Sequence, residues 1–143
     1  MLTPIIRYIK VQPLSLVIAA VIWTVCLIPI PETPVSDVRF IDKWVHLAMY
    51  GGLTAIIMAE YGRRHTAVGW DRMIVGGLIT PIVMGGLIEL AQAYLTFGIR
   101  SGDWSDFAAN ACGALLGFLL SLPVVLTLAR HNINKCQTNK HTD

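Results

Sequence analysis

A chain of 143 residues that is 55% hydrophobic and only 14% charged, with mean hydropathy +0.61, is too apolar for an ordinary soluble domain, in which about a quarter of residues are charged. The composition predicts a membrane protein, and the length suits one unit, a single domain over 1–143, with no room for a separate soluble domain. A net charge of +2 without a basic run or zinc-ligand spacing argues against nucleic acid as a partner.

A membrane-crossing helix needs about 17–25 mainly apolar residues. Four stretches approach this, Leu14–Ile30, Trp44–Ala59, Met73–Leu95 and Phe107–Ala129. They predict helices near 14–30, 43–60, 73–95 and 106–129, and an all-α integral membrane fold, a four-transmembrane-helix bundle. Arg7 and Lys10 precede the first run as they would in a signal peptide. That run is long, however, and ends in Ile28-Pro29-Ile30-Pro31 rather than a small-residue cleavage site, so it reads as a retained helix. The second span is the weakest, because His46 and Tyr50 interrupt it, and it needs Asp42 and Lys43 at its entrance to be complete.

Orientation follows from the Lys and Arg of the short loops. With four spans, Arg7, Lys10, Arg63, Arg64, Arg72, Arg130, Lys135 and Lys140 gather on one side and only Arg39, Lys43 and Arg100 on the other. Both termini are therefore expected on the cytoplasmic side of the membrane. The acids are distributed the other way. Glu32, Asp37, Asp42, Asp103 and Asp106 belong to the outer side, with Glu89 in the outward half of the third helix. Cys26, Cys112 and Cys136 follow no disulfide or metal spacing and read as small hydrophobes or tail residues.

Three polar clusters thus share the extracytoplasmic end: Asp42-Lys43-x-x-His46-x-x-x-Tyr50, Glu89-x-x-Gln92, and Arg100-x-x-Asp103-x-x-Asp106-x-x-x-Asn110. An ionisable group inside a membrane helix costs roughly 2.5–3.5 kcal/mol on insertion scales, so such groups seldom occur without a partner or a task. Positions three or four apart share a helix face, so Asp42, His46 and Tyr50 form one stripe and Glu89 and Gln92 another. Asp106, Asn110, Gly113 and Gly117 form a third, and Gly85 and Gly86 lie below Glu89. Small residues let membrane helices approach closely, and close packing of the third and fourth helices beneath their polar heads would bring the heads together in a water-reaching pocket.

Plainer roles compete. Asp42, Asp103 and Asp106 suit helix caps, and Lys43 suits snorkelling to the head groups. Trp44, Trp104 and Tyr50 suit the interfacial aromatic belt, and Arg63, Arg64 and Arg72 suffice as topology determinants. His46, Glu89 and Asn110 resist such readings, because each lies at least a turn inside its helix on a short side chain. A purely structural hydrogen-bonded network among them remains the alternative.

The same residues, together with Gly86, Gly113 and Gly117 at their spacings, resemble the VanZ family of small bacterial membrane proteins over about residues 40–120. The resemblance implies a multi-helix inner-membrane protein. It carries over Asp42, Lys43, His46, Glu89, Gln92, Arg100, Asp106 and Asn110 as the shared positions. The family's namesake accompanies glycopeptide resistance genes and raises resistance to teicoplanin, a lipid-tailed glycopeptide, without a settled reaction.

Chemically, His46 can exchange a proton near neutral pH and, with Glu89 and Asp106, forms the candidate catalytic set. Asp42, Lys43, Tyr50, Gln92, Arg100, Asp103 and Asn110 are the candidate binding residues. Lys43 and Arg100 suit the head group of an anionic membrane lipid, an envelope precursor or a lipidated glycopeptide. No nucleophile motif surrounds Ser101 or Ser105. His46, Glu89, Asp106 and Asp42 are the N and O groups a metal would use, but one histidine without an H-E-x-x-H pattern assigns no metal, and no cofactor is implied. A proton-linked transport module is a further reading, with Glu60 the one inner partner and a homo-oligomer needed for a complete path. An accessory subunit pinned by Arg100–Asp or Lys43–Glu pairs is another. The Asp42/His46 and Asp106/Asn110 pairs also suggest two related helix hairpins of like orientation.

Overall fold

The computed structural model describes residues 12–28, 41–65, 67–95 and 102–140, and these are almost entirely helical, with no strand among them. Four helices follow one another: α1 (Pro13–Leu27), α2 (Ile41–Arg64), α3 (Trp70–Leu95) and α4 (Trp104–Lys140). Pro13 occupies the first turn of α1, where its fixed φ favours the helix and its missing N–H costs nothing. The helix stops at Leu27 rather than the expected Ile30. Ile28 precedes Pro29 and is driven to an extended conformation, with φ −77° and ψ 137°. α2 and α3 each begin slightly earlier than expected, and α2 runs on to Arg64. α4 continues well past Ala129, because residues 130–140 hold no Gly or Pro to end it.

α3 is not uniform. Pro81 lacks the N–H that would bond the carbonyl of Gly77, and the chain widens into a π turn over Val75–Ile79 just before it. The Val75 carbonyl accepts both the Thr80 N–H and the Thr80 hydroxyl, the latter at 2.8 Å. α3 has 26 residues and is long and apolar enough to cross a membrane, its most apolar 18-residue stretch having mean hydropathy 1.9. So is the Trp104–Lys135 part of α4, whose corresponding stretch has mean hydropathy 2.2. α1, at 15 residues, is apolar but shorter. α2 is long enough but carries Asp42, Lys43, His46 and Glu60 among its 24 residues.

The contacts fix the directions of the helices. α2 and α4 run parallel, pairing Lys43 with Asp106, His46 with Asn110, Gly51 with Gly117 and Gly62 with Val125. α1 and α3 run the other way. Gln92 near the end of α3 donates to the Cys26 carbonyl near the end of α1, at 2.9 Å. At the opposite end, Glu60 of α2 accepts the Leu14 and Ser15 N–H groups of α1, each at 3.1 Å. One apolar core joins Ile22 and Cys26 of α1 to Tyr50, Leu53 and Ile57 of α2 and Ile88 of α3. A second joins Met58 and Tyr61 to Met73, Phe118 and Val125.

The glycine row of α4 corrects one expectation. Gly113 and Gly117 meet α2, not α3. A Cβ at Gly113 would strike the Leu47 carbonyl, and one at Gly117 the Gly51 carbonyl. Gly85 instead lies against Asn110 and Tyr50, and Gly86 against Phe107. The close seam is therefore α2–α4, with α3 resting its glycines on the polar head of α4.

Candidate functional site

The end of the molecule where α2 and α4 begin and α3 finishes gathers the predicted polar residues. Spacing alone gives each helix its polar face, and the α2–α4 seam sets the faces opposite one another. Lys43 lies half-buried between two carboxylates, with Nζ 3.0 Å from Asp106 Oδ1 and 3.3 Å from Asp103 Oδ2. A turn deeper, His46 Nδ1 lies 2.9 Å from Asn110 Oδ1. Asn110 Nδ2 in turn donates to Glu89 Oε1 at 3.4 Å, and Glu89 Oε2 accepts the Asp103 backbone N–H at 3.1 Å. His46 is 3% exposed, Asn110 0%, and Glu89 and Asp106 7% each. Three helices thus contribute one buried chain, His46–Asn110–Glu89, with the Lys43 ion pairs above it.

The local backbone explains how the chain closes. Asp103 precedes α4 and caps it: its Oδ1 accepts the Ser105 N–H at 2.9 Å and its Oδ2 the Ser105 hydroxyl at 2.6 Å. Those two bonds, with the Lys43 ammonium beside them, hold the Asp103 carboxyl well below the usual range, at about 2. Gly102 lies directly over the Glu89 carbonyl, where any Cβ would collide. That contact lets the Asp103 N–H reach back to the Glu89 carboxylate. Gly102 was not singled out by the sequence, because its role depends on where α3 ends and not on any helical period.

The direction of hydrogen bonding in the chain is set by chemistry. The Glu89 carboxylate accepts only, so Asn110 turns its amide NH2 to Glu89 and its oxygen to His46. His46 must then donate from Nδ1, which directs Nε2 toward the mouth. There Asp42 Oδ1 lies 3.9 Å away, too far for a hydrogen bond.

Other expected residues have different positions. Gln92 is buried and holds the α1 end through the Cys26 carbonyl, one of the acceptors that a helix terminus leaves unpaired. Tyr50 is fully buried beneath the cluster, and its hydroxyl has no hydrogen-bond partner. Asp42 is exposed in the first turn of α2. Among the described residues Lys43 pairs with Asp103 and Asp106 and with no glutamate, in place of the expected Lys43–Glu pair. Arg100 lies outside the described residues. Beside the cluster, a cleft of about 120 Å³ opens between α3 and α4, with Glu89 and Asp103 at its head and Leu90, Tyr94, Trp104 and Phe107 along its walls. Of these wall residues only Trp104 was marked in the sequence, as an interfacial aromatic.

Comparison with protein-family models, curated proteins and solved structures returned no match.

Proposed function

We propose that the chain is a four-span VanZ-like protein of the bacterial inner membrane, both termini cytoplasmic, whose polar cluster faces outward and binds the head group of an anionic membrane amphiphile. A lipid or a cell-envelope precursor is the ligand, and interference with a lipid-tailed glycopeptide such as teicoplanin is the corresponding phenotype. The observation that carries the reading is the buried His46–Asn110–Glu89 chain. Three polar side chains from three helices bond one another through contacts that capping does not require, with only the second Glu89 oxygen turned to the backbone, at the Asp103 N–H. The cleft beside them has a polar head and an apolar wall, so an amphiphile would set part of its head group there and leave its tails in the surrounding lipid.

An anionic head group meets Lys43 by displacing Asp103, the more exposed of its two partners, and Arg100 supplies a second cation from the adjoining segment. If the bound molecule also reacts, His46 and Glu89 are the acid–base pair, their nearest atoms 4.0 Å apart. A proton path through the protein is the weaker reading. Its one inner candidate, Glu60, is committed to the first turn of α1.

The test replaces His46, Glu89, Arg100 and Asp106 by Gln, Gln, Gln and Asn. Membrane abundance is read beside lipid retained on purification, by mass spectrometry, and glycopeptide sensitivity. Variants at full abundance that lose lipid and phenotype support the binding site. Abundance falling in step with the phenotype for every variant overturns it in favour of a structural network.

A further inference from the structure

We propose that the mouth of the cluster is a binding site for one divalent transition-metal ion, held by His46 Nε2 and the carboxylates of Asp42 and Asp106. One ligand atom from each of these residues lies within 4.8 Å of the other two. With metal–ligand bonds of roughly 2.0–2.2 Å, neighbouring ligand atoms around a bound ion stand about 2.8–3.6 Å apart, the wider values belonging to tetrahedral geometry. The His46 Nε2 to Asp42 Oδ1 separation of 3.9 Å is therefore close to closing. Asp42 is 59% exposed on its side chain and is free to swing inward, so the adjustment falls on the one ligand that packing does not hold.

The second observation concerns the histidine. A buried imidazole whose Nδ1 is taken by Asn110 turns Nε2 toward the Asp42 carboxylate, 3.9 Å away and beyond hydrogen-bond reach. A cation between the two would bridge that gap. A metal-binding histidine almost always donates its other ring N–H to an acceptor that fixes its tautomer and orientation. Here that acceptor is Asn110, itself oriented by Glu89. Asp42 and His46 are four residues apart on α2, a spacing that sets two ligands on one helix face, and Asp106 completes the set from α4. One imidazole and two carboxylates, with the remaining positions open to water, suit zinc or manganese.

Lys43 shapes this site as a competitor. Its ammonium takes Asp106 Oδ1 at 3.0 Å, so an incoming ion must use the other Asp106 oxygen or displace the lysine toward Asp103. Removing that positive charge should tighten metal binding, whereas it would weaken the binding of an anion.

The test is calorimetric titration of the purified, chelator-treated full-length protein in detergent with Zn²⁺ and with Mn²⁺, with elemental analysis after dialysis. The expected result is one saturable equivalent of at least one of the two ions. Asp42→Asn, at the exposed mouth, should weaken it by about tenfold or more with an unchanged unfolding midpoint, and Asn110→Leu by roughly 10–100-fold. Lys43→Gln should strengthen it. No saturable equivalent of either ion overturns the proposal. So does binding indifferent to both Asp42→Asn and His46→Gln, which marks an adventitious ion only, or a weakening by Lys43→Gln. Lipid carried through purification is quantified in each titrated sample by mass spectrometry, so absent metal binding overturns this proposal alone and absent lipid overturns the amphiphile reading alone.

Discussion

The two ends of the molecule use polar side chains in different ways. At the end where α1 begins, polar groups serve the backbone. Glu60 takes the first free N–H groups of α1, and Asn132 donates to the carbonyls of Gly62, Arg63 and His65 where α2 finishes. Tyr61 accepts the Gly69 N–H at 2.9 Å as the chain turns into α3. Each is explained by the unsatisfied groups that every helix end leaves behind. At the other end, side chains bond side chains. Lys43 reaches Asp103 and Asp106, His46 reaches Asn110, and Asn110 reaches Glu89, all across helices. Asp103, Gln92 and one oxygen of Glu89, which accepts the Asp103 N–H, serve helix termini there. Helix completion accounts for the first set but not for the buried links from His46 to Asn110 and from Asn110 to Glu89.

The seam between α2 and α4 joins these ends, and breaking it should have the largest effect. Gly117→Val forces a side chain into the Gly51 backbone and should cost about 3 kcal/mol or more, read as thermal unfolding in detergent. Gly52→Ala, whose Cβ meets open space, should leave the midpoint unchanged or slightly raised. Next in size, Asn110→Leu removes the shared partner of His46 and Glu89 and should cost about 2 kcal/mol, because His46 Nδ1 and Glu89 Oε1 lose their buried partner, while Glu89 Oε2 keeps the Asp103 N–H. Glu60→Ala strands the first N–H groups of α1 and should cost about 1 kcal/mol without altering lipid retention.

The smallest effect is one of pH. The Asp103 carboxyl is held at about 2, chiefly by Ser105, against 3.8 when free. Its contribution to stability is therefore full above about pH 4 and is lost as pH falls through 2. Asp103→Asn should remove that part of the acid dependence, seen as a flatter midpoint-against-pH curve between those values.

Much of this was legible in the sequence because the relevant forces are local. Apolar runs predicted four helices, and helical spacing predicted the stripes that carry His46, Glu89 and Asn110. What spacing does not give is rotation about the helix axis. Gly113 and Gly117 were visible as a close-packing row, but that they meet Leu47 and Gly51 of α2 depends on how four surfaces fit together. The same limit hid the partners of Lys43, since the sequence put six acids at the outer side and the seam selected Asp103 and Asp106. Glu60 read as a lone acid facing the inner side because the free N–H groups it serves belong to a helix 45 residues away. The early end of α1 was open to local reasoning, since Ile28 precedes a proline, and the apolar run past Leu27 outweighed that signal.

The central claim is that the His46–Asn110–Glu89 cluster serves a ligand while Glu60 serves the fold. Native mass spectrometry of the purified protein tests it most directly, comparing bound lipid in Glu89→Gln with that in Glu60→Gln. The account predicts lipid lost from Glu89→Gln at near-normal thermal stability, and lipid retained by Glu60→Gln despite a lowered midpoint. Equal lipid binding in Glu89→Gln and the unaltered protein, or lipid lost alike from both variants in proportion to stability, would contradict it.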